Sequence, residues 1–295
     1  MKTRGLLVRA VVLAAMLGVG LWARSLPSGD AASGRQSGFW PWKTSTTVTL
    51  YFSDGRYLFP VSRRMPQGDE LPRAALEALL AGPGAKGRLT SPIPPGVAIR
   101  SFQLVNGVAR IDLSSTFGEA ADAPAAVMAI TETMTRLAGV TSVAVSVDGR
   151  PIAGTSARTP LLYYATANGL VAVPAAVTDA RAALRMYLSG PPSPDLTGIP
   201  SDVRLQTYDY DKTDQLISVG FTYTPAVRTL ALEKPERMRM LLLGLIASLT
   251  EFPGVRAARL DFGGRSRLGL GECSDLLRTP QPRPALLNDE RLLDD

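Results

Sequence analysis

The chain repeats itself, and that repetition limits the folds open to it more than any other feature. Leu50-Tyr51-Phe52 is answered by Leu162-Tyr163-Tyr164, and the run Ala74 to Pro83 by Ala182 to Pro191. Ile93-Pro94 returns as Ile199-Pro200, and Gly139-Val140 as Gly254-Val255. The offsets are 112, 108, 106 and 115 residues, nearly constant and in unbroken order. Drift of a few residues is what loop insertions produce, because surface loops tolerate length changes that cores do not. Two homologous domains of about 110 residues are implied, a common size for a domain. Their expected bounds are residues 46–152 and 159–268.

Composition supports this division and removes several functions. The 295 residues are 45% hydrophobic and 20% charged, enough for two modest cores. The net charge of +6 suggests a polyanion partner, but Lys2, Arg4, Arg9, Arg24 and Arg35 precede the body of the chain with only Asp30 among them. The body is therefore nearly neutral, and no nucleic-acid partner is expected. Cys273 is the sole cysteine, which rules out an internal disulfide and a thiolate-rich metal site. Histidine is absent, so Ser-His and Cys-His nucleophile pairs and imidazole metal ligands are excluded.

At the amino terminus Lys2, Arg4 and Arg9 precede an uncharged run from Ala10 to Ala23. Residues 1–24 read as a signal anchor or a signal peptide. The apolar run is short for a spanning helix unless Arg9 snorkels, and Leu21 with Ala23 makes a poor cleavage site. A retained anchor is favoured, with the cationic end inside and the bulk of the chain on the extracytoplasmic side of the cell membrane. Residues 25–45 form a Gly/Ser/Ala/Pro-rich linker. It is interrupted by Phe39, Trp40 and Trp42, which suit either a membrane surface or packing against the first domain.

Each repeat reads as β-α-β-β-α-β, an α/β fold of the α+β two-layer type with helices on one sheet face. In the first, Thr47 to Phe52 reads as a strand and Asp54-Gly55 turns into an extended piece from Tyr57 to Val61. Leu71 to Ala81 reads as a helix with Pro72 in its first turn and Gly82-Pro83 as its stop. Val97 to Leu104 and Val108 to Leu113 flank Asn106-Gly107, a strong hairpin signal. Asp122 caps a helix with Val127, Ile130, Met134 and Leu137 on one face, which Gly139 ends before a strand from Ser142 to Val147. In the second, Asp179 caps a helix carrying Ala183, Leu184, Tyr187 and Leu188, and a later stripe runs from Met238 to Leu249. A polar loop from Asp209 to Gln215 replaces the tight hairpin turn. The tail, residues 269–295, is Pro-rich with isolated pairs Leu276-Leu277, Leu286-Leu287 and Leu292-Leu293, and reads as flexible.

The ordered series LYF, AALEALLAGP, IPPGVAIRS, NGVARIDLSSTF and GVTSVAVSVDG resembles the GerMN-domain family, whose tandem members belong to sporulation and spore germination. The likeness spans about Thr46 to Ile152 and, more weakly, Thr159 to Ser266. It implies a fold similar to the ring-building domains of secretion-system proteins. It also implies an envelope protein in the space around the forespore that helps a channel complex assemble between two membranes. One tandem member of that family is a lipoprotein with a cysteine at the signal-peptide boundary. This chain has none there, so lipidation is not carried over.

Asp54, Asp112 and Asp148 could be imagined as the paired carboxylates of a wall-degrading glycosidase. Asp54 and Asp148 precede glycines as turn residues do, Asp112 alternates along a strand, and Gly220 stands at its place in the second repeat. Ser114-Ser115-Thr116 lacks an activating histidine. Gly82, Gly84 and Gly87 follow a helix and so do not form a phosphate loop. Trp40, Trp42, Tyr163 and Tyr164 could stack on sugars, although the tyrosines suit a core strand better. No catalytic, cofactor-binding or metal-binding residue is assigned, and no cofactor is expected. The expectation is a non-enzymatic scaffold or assembly factor with envelope or sporulation membrane proteins as partners and homo-oligomers as a further option. A peptidoglycan-binding or peptidoglycan-processing protein is the alternative.

Overall fold

The computed structural model describes residues 44–84, 88–152, 154–263, 270–285 and 287–288. The apolar amino-terminal run, Phe39, Trp40, Trp42, Gly87, Leu286 and the Leu292-Leu293 pair lie outside them. No helix among the described residues is long and apolar enough to cross a membrane.

The first repeat opens with a hairpin, β1 (Ser45–Ser53) and β2 (Leu58–Pro66), paired antiparallel along their whole length. Asp54 makes its turn by accepting from the Arg56 and Tyr57 amides at 2.9 and 2.8 Å. Helix α1 (Leu71–Leu80) has Pro72 in its first turn and is closed by Gly82 at φ +83°. Strands β3 (Ile99–Val105) and β4 (Val108–Leu113) meet at Asn106-Gly107, whose φ values of 51° and 78° are those the tight hairpin turn demands. Helix α2 (Ala123–Met134) is capped as expected, Asp122 accepting from the Ala125 amide at 2.9 Å. It leads to β5 (Ser142–Val147), which runs parallel to β4. Two short strands, β6 (Arg150–Pro151) and β7 (Ser156–Ala157), pair with β5.

The second repeat follows the same order. Hairpin β8 (Leu161–Ala165) and β9 (Leu170–Pro174) is followed by helix α3 (Ala180–Leu188), capped by Asp179. Next come antiparallel β10 (Leu205–Asp211) and β11 (Leu216–Phe221). Helix α4 (Pro225–Glu233), absent from the sequence reading, is announced by Thr224, which accepts from the Val227 amide, and by Pro225 in the first turn. Helix α5 (Pro235–Leu249) and β12 (Ala257–Phe262), parallel to β11, complete the repeat.

Two sheets are private to one repeat each, β3-β4-β5 and β10-β11-β12, with helices over the face formed by Ala109, Ile111, Val143 and Val145 or by Ile217, Val219, Ala258 and Leu260. Each private sheet with its helices gives the expected two layers. The opening hairpins depart from the simple β-α-β-β-α-β picture. They leave their own domains and combine into one four-stranded sheet, order β1-β2-β9-β8, shared by both repeats. The two tandem domains are thereby joined in one compact unit.

Helices α2 and α5 run along the two outer strands of the shared sheet and meet their amides: Tyr51 N donates to Thr133 Oγ1 at 3.2 Å and Tyr163 N to Ser248 Oγ at 2.9 Å. Free strand edges are thus covered instead of being left open to pairing with other chains. Gly244 in α5 is needed for this approach, because a Cβ there would run into the Tyr163 carbonyl oxygen.

The tail requires a correction. Where residues 269–295 read as flexible, the described part carries α6 (Asp275–Arg278) and β13 (Gln281–Pro282), and β13 pairs antiparallel with β12. Leu276 and Leu277 are buried. Strands β2 and β9 pair at Leu58↔Ala172, and Asn288 sits between them. Its Nδ2 donates to the carbonyls of Pro60 and Leu170, both at 2.8 Å, and its Oδ1 accepts from Leu170 N at 2.8 Å. One side-chain amide imitates a peptide group across the junction of the two repeats. Isolated apolar pairs in a Pro-rich stretch have no period, so their burial depends on a surface the sequence does not display.

Candidate functional site

The polar centre of the molecule lies at the seam between the repeats. Tyr51 of β1 and Tyr163 of β8 occupy matching positions, and their hydroxyls meet at 3.1 Å. At the ends of α2 and α5 the matching pair is Arg136 and Glu251. Their side chains are 8% and 1% exposed, with Arg136 Nη2 and Glu251 Oε1 2.6 Å apart. Glu132, one helical turn before Arg136, forms a second ion pair with it and accepts from the Thr159 amide at 3.1 Å. Arg158, between the repeats, reaches Glu251 Oε1 at 2.8 Å. Arg283, from the tail, reaches Glu251 Oε2 at 2.7 Å and Tyr163 OH at 2.7 Å.

The hydroxyl assignments follow from counting donors. Tyr163 OH lies 3.3 Å from Glu251 Oε2, an acceptor only, so it donates there and accepts from Arg283 at 2.7 Å, with the Tyr51 hydroxyl and Arg136 Nη2 as further donors at 3.1 and 3.4 Å. Arg136 stacks over the Tyr51 ring at 4.8 Å and Arg283 over the Tyr163 ring at 5.2 Å. The tail thus supplies to the second repeat the cation that the first carries in its own helix. Burial opposes the Arg136 charge, but Tyr51, Tyr163, Glu251 and Glu132 more than offset it and hold its pKa above the ordinary guanidinium value. Arg283 is raised likewise, burial being outweighed first by Tyr163 and then by Glu251. Burial raises Tyr51 well above an ordinary phenol, so it stays protonated.

The candidate residues for chemistry are scattered. Asp54 makes a hairpin turn in the shared sheet. Asp112, on the open face of β3-β4-β5, accepts from Ser146 Oγ at 2.7 Å and from the Gly149 amide at 2.8 Å, and these bonds lower its pKa. Asp148, in the turn after β5 at φ 49°, pairs with Arg100. In the second repeat Gly220 does stand where Asp112 does, beside Asp261 on β12 in place of Ser146, and Thr207 Oγ1 fills the room a Cβ would need. Ser114 Oγ accepts from the Ala98 amide at 3.0 Å. Tyr163 and Tyr164 are buried, the latter stacked on Tyr187 at 4.7 Å between centroids, so neither offers a ring to a sugar. Cys273 is buried, and no group of three or more metal-ligating side chains gathers among the described residues.

Sequence reading missed the seam cluster because Glu132 and Arg136 lie off the apolar stripe of α2, where charge ordinarily means solvent. One signal was available. The 115-residue offset sets Arg136 opposite Glu251, two unlike charges at one position of a duplicated scaffold.

A family model of sporulation and spore germination, Germane, matches residues 49–153 and again 161–267. The chain belongs to the Germane family. Both matched regions coincide with the repeats, and each takes in one tyrosine and one helix of the seam. Among solved structures, the tandem GerMN domains of the sporulation protein GerM from Bacillus subtilis share the fold, with a TM-score of 0.62 at 18% identity over 82% of this chain and 99% of that one. The first GerMN domain of that protein alone covers 36% of this chain and 86% of its own length at 20% identity, TM-score 0.33. A putative lipoprotein from Clostridium perfringens covers 39% and 88% at 21% identity, TM-score 0.27. No curated protein matches.

Proposed function

We propose that this Germane protein is a non-enzymatic scaffold or assembly factor for a trans-envelope complex around the developing spore. In this reading residues 1–24 hold it at the membrane and its bulk lies on the extracytoplasmic side. The observation that carries the proposal is where the fold uses its buried ionic groups. They join two repeats into one body, while each repeat keeps a polar sheet face toward solvent, with Gln103 and Arg110 exposed on one and Asp209 and Arg259 on the other. One body with two distinct open faces suits bridging of envelope or sporulation membrane proteins, or of further copies of the chain.

The alternative is a peptidoglycan-binding or peptidoglycan-processing protein. A cleft of about 490 Å³ bordered by Arg110, Asp112, Ser146 and Gly149 lies on the first open face and is where a wall fragment would sit. Replacing the chromosomal gene by Arg110→Glu, Arg259→Glu or Asp112→Asn separates the two. The scaffold reading expects spore yield to fall with either charge reversal and to survive Asp112→Asn. Cleavage of peptidoglycan by the purified protein, lost in folded Asp112→Asn, would replace it with the enzyme reading. Protease accessibility on intact cells tests the topology, and recovery of the protein in the cytosol would refute it.

A further inference from the structure

The seam cluster leaves one charge unmatched. Arg136, Arg158 and Arg283 face only Glu132 and Glu251 through their ion pairs. All three arginines border a cleft of about 310 Å³ whose rim also includes Thr47, Thr49 and Thr250. Arg136 is more than nine-tenths buried, yet its Nε has no hydrogen-bond partner among the described residues. Arg158 and Arg283 are 35% and 29% exposed, open enough to meet a solute. A cationic excess bordering a cleft is unfavourable unless an anion completes it, and a buried donor without an acceptor adds to the cost of the site as it stands.

We propose that this cleft is a binding site for a singly charged phosphate group, such as a phosphodiester. Its charge cancels the excess, and its oxygens suit guanidinium forks, which favour paired N–H donation to oxyanions. The Thr47 and Thr49 hydroxyls add neutral donors at the rim, and the cleft has room for the groups on either side of a diester. Because the lining comes from the first repeat, the segment between the repeats, the second repeat and the tail, occupancy would tie all four together.

The test is isothermal titration of the full chain, in a non-ionic detergent at constant ionic strength, with dimethyl phosphate, inorganic phosphate and acetate in parallel. Saturable one-to-one binding of dimethyl phosphate is expected, weakened about tenfold or more in Arg158→Met and partly restored in Arg158→Lys, which keeps the charge but loses the fork. Should Arg158→Met fail to fold, Thr49→Asp puts a competing carboxylate at the rim without touching the core and is expected to abolish binding. Inorganic phosphate binding tighter than dimethyl phosphate overturns the preference for a single charge. Acetate binding as tightly overturns the assignment to phosphate. Absence of saturable binding by the folded protein, or binding unchanged in both variants, overturns the site.

Discussion

The two repeats carry the same backbone and different chemistry at the positions where they meet. Tyr51 faces Tyr163, and Thr133 and Ser248 serve identical edge amides, so these pairs remain alike. Arg136 faces Glu251, and there likeness is forbidden. Two arginines or two glutamates brought together in a buried seam would repel in a poorly screened environment, whereas unlike charges attract and satisfy each other's hydrogen bonds. A dimer of identical chains cannot place opposite charges at one self-facing position, but a duplicated chain can. The exposed faces show the same freedom: the carboxylate beside Ser146 on one sheet moves one strand over, to Asp261 beside Gly220, on the other.

The sharpest way to break the comparison is to remove the carboxylate around which three arginines gather. Glu251→Ala should destabilise the protein by about 3–5 kcal/mol, the usual consequence of leaving buried charge unpaired. Glu132→Ala should cost less, since Glu132 serves one guanidinium and one amide. Denaturant unfolding of both variants checks the order, and equal losses would show that Glu251 is not the hub.

Next in size is the helix approach. Gly244 and Ala129 hold matching places in α5 and α2, but only α5 lies so close to its strand that a methyl group has no room. Gly244→Ala should cost about 1–3 kcal/mol through overpacking despite the better helix propensity of alanine. Ala129→Gly should cost about 0.5–1 kcal/mol plus the small loss of buried surface. Thermal melts of the pair would sink the packing account if Gly244→Ala proved stabilising.

The tyrosines are alike in position and unlike in duty. Tyr163 OH bonds Glu251, Arg283, Arg136 and Tyr51, whereas Tyr51 OH bonds Tyr163. Tyr163→Phe should therefore lose about 1–3 kcal/mol and Tyr51→Phe about 0.5–1.5 kcal/mol. A double-mutant cycle reads their coupling, and a value of zero would place the hydroxyl contact outside the network.

The smallest effect belongs to Asp112. Its hydrogen bonds to Ser146 and Gly149 hold the folded carboxyl below its usual pKa. The stability it contributes is present above about pH 4 and lost as pH falls through the lowered folded value. Asp112→Asn should remove a small increment at neutral pH that vanishes in acid. A difference from wild type that grows toward acid would reverse the sign and refute the assignment.

Local chemistry was legible in the sequence wherever the cause itself is local. Asp122 and Asp179 bond amides three residues away, Asn106-Gly107 adopts the positive φ values of a tight turn, and Pro72 and Gly82 punctuate one helix. The constant offset made the tandem arrangement visible, and the ordered motif series the resemblance to the family, before any coordinate. What tertiary structure alone decided is where those repeats join. The opening strands could pair with their own sheets or with each other, and hydrogen-bonding capacity is the same either way. Apolar periodicity gives no sign of Arg136's burial, because it records only the face turned to a helix's own core. Its burial depends on Glu251 and Arg283, 115 and 147 positions away. Asn288 and the tail leucines carry no period at all, and the surface that receives them exists only once both hairpins have come together.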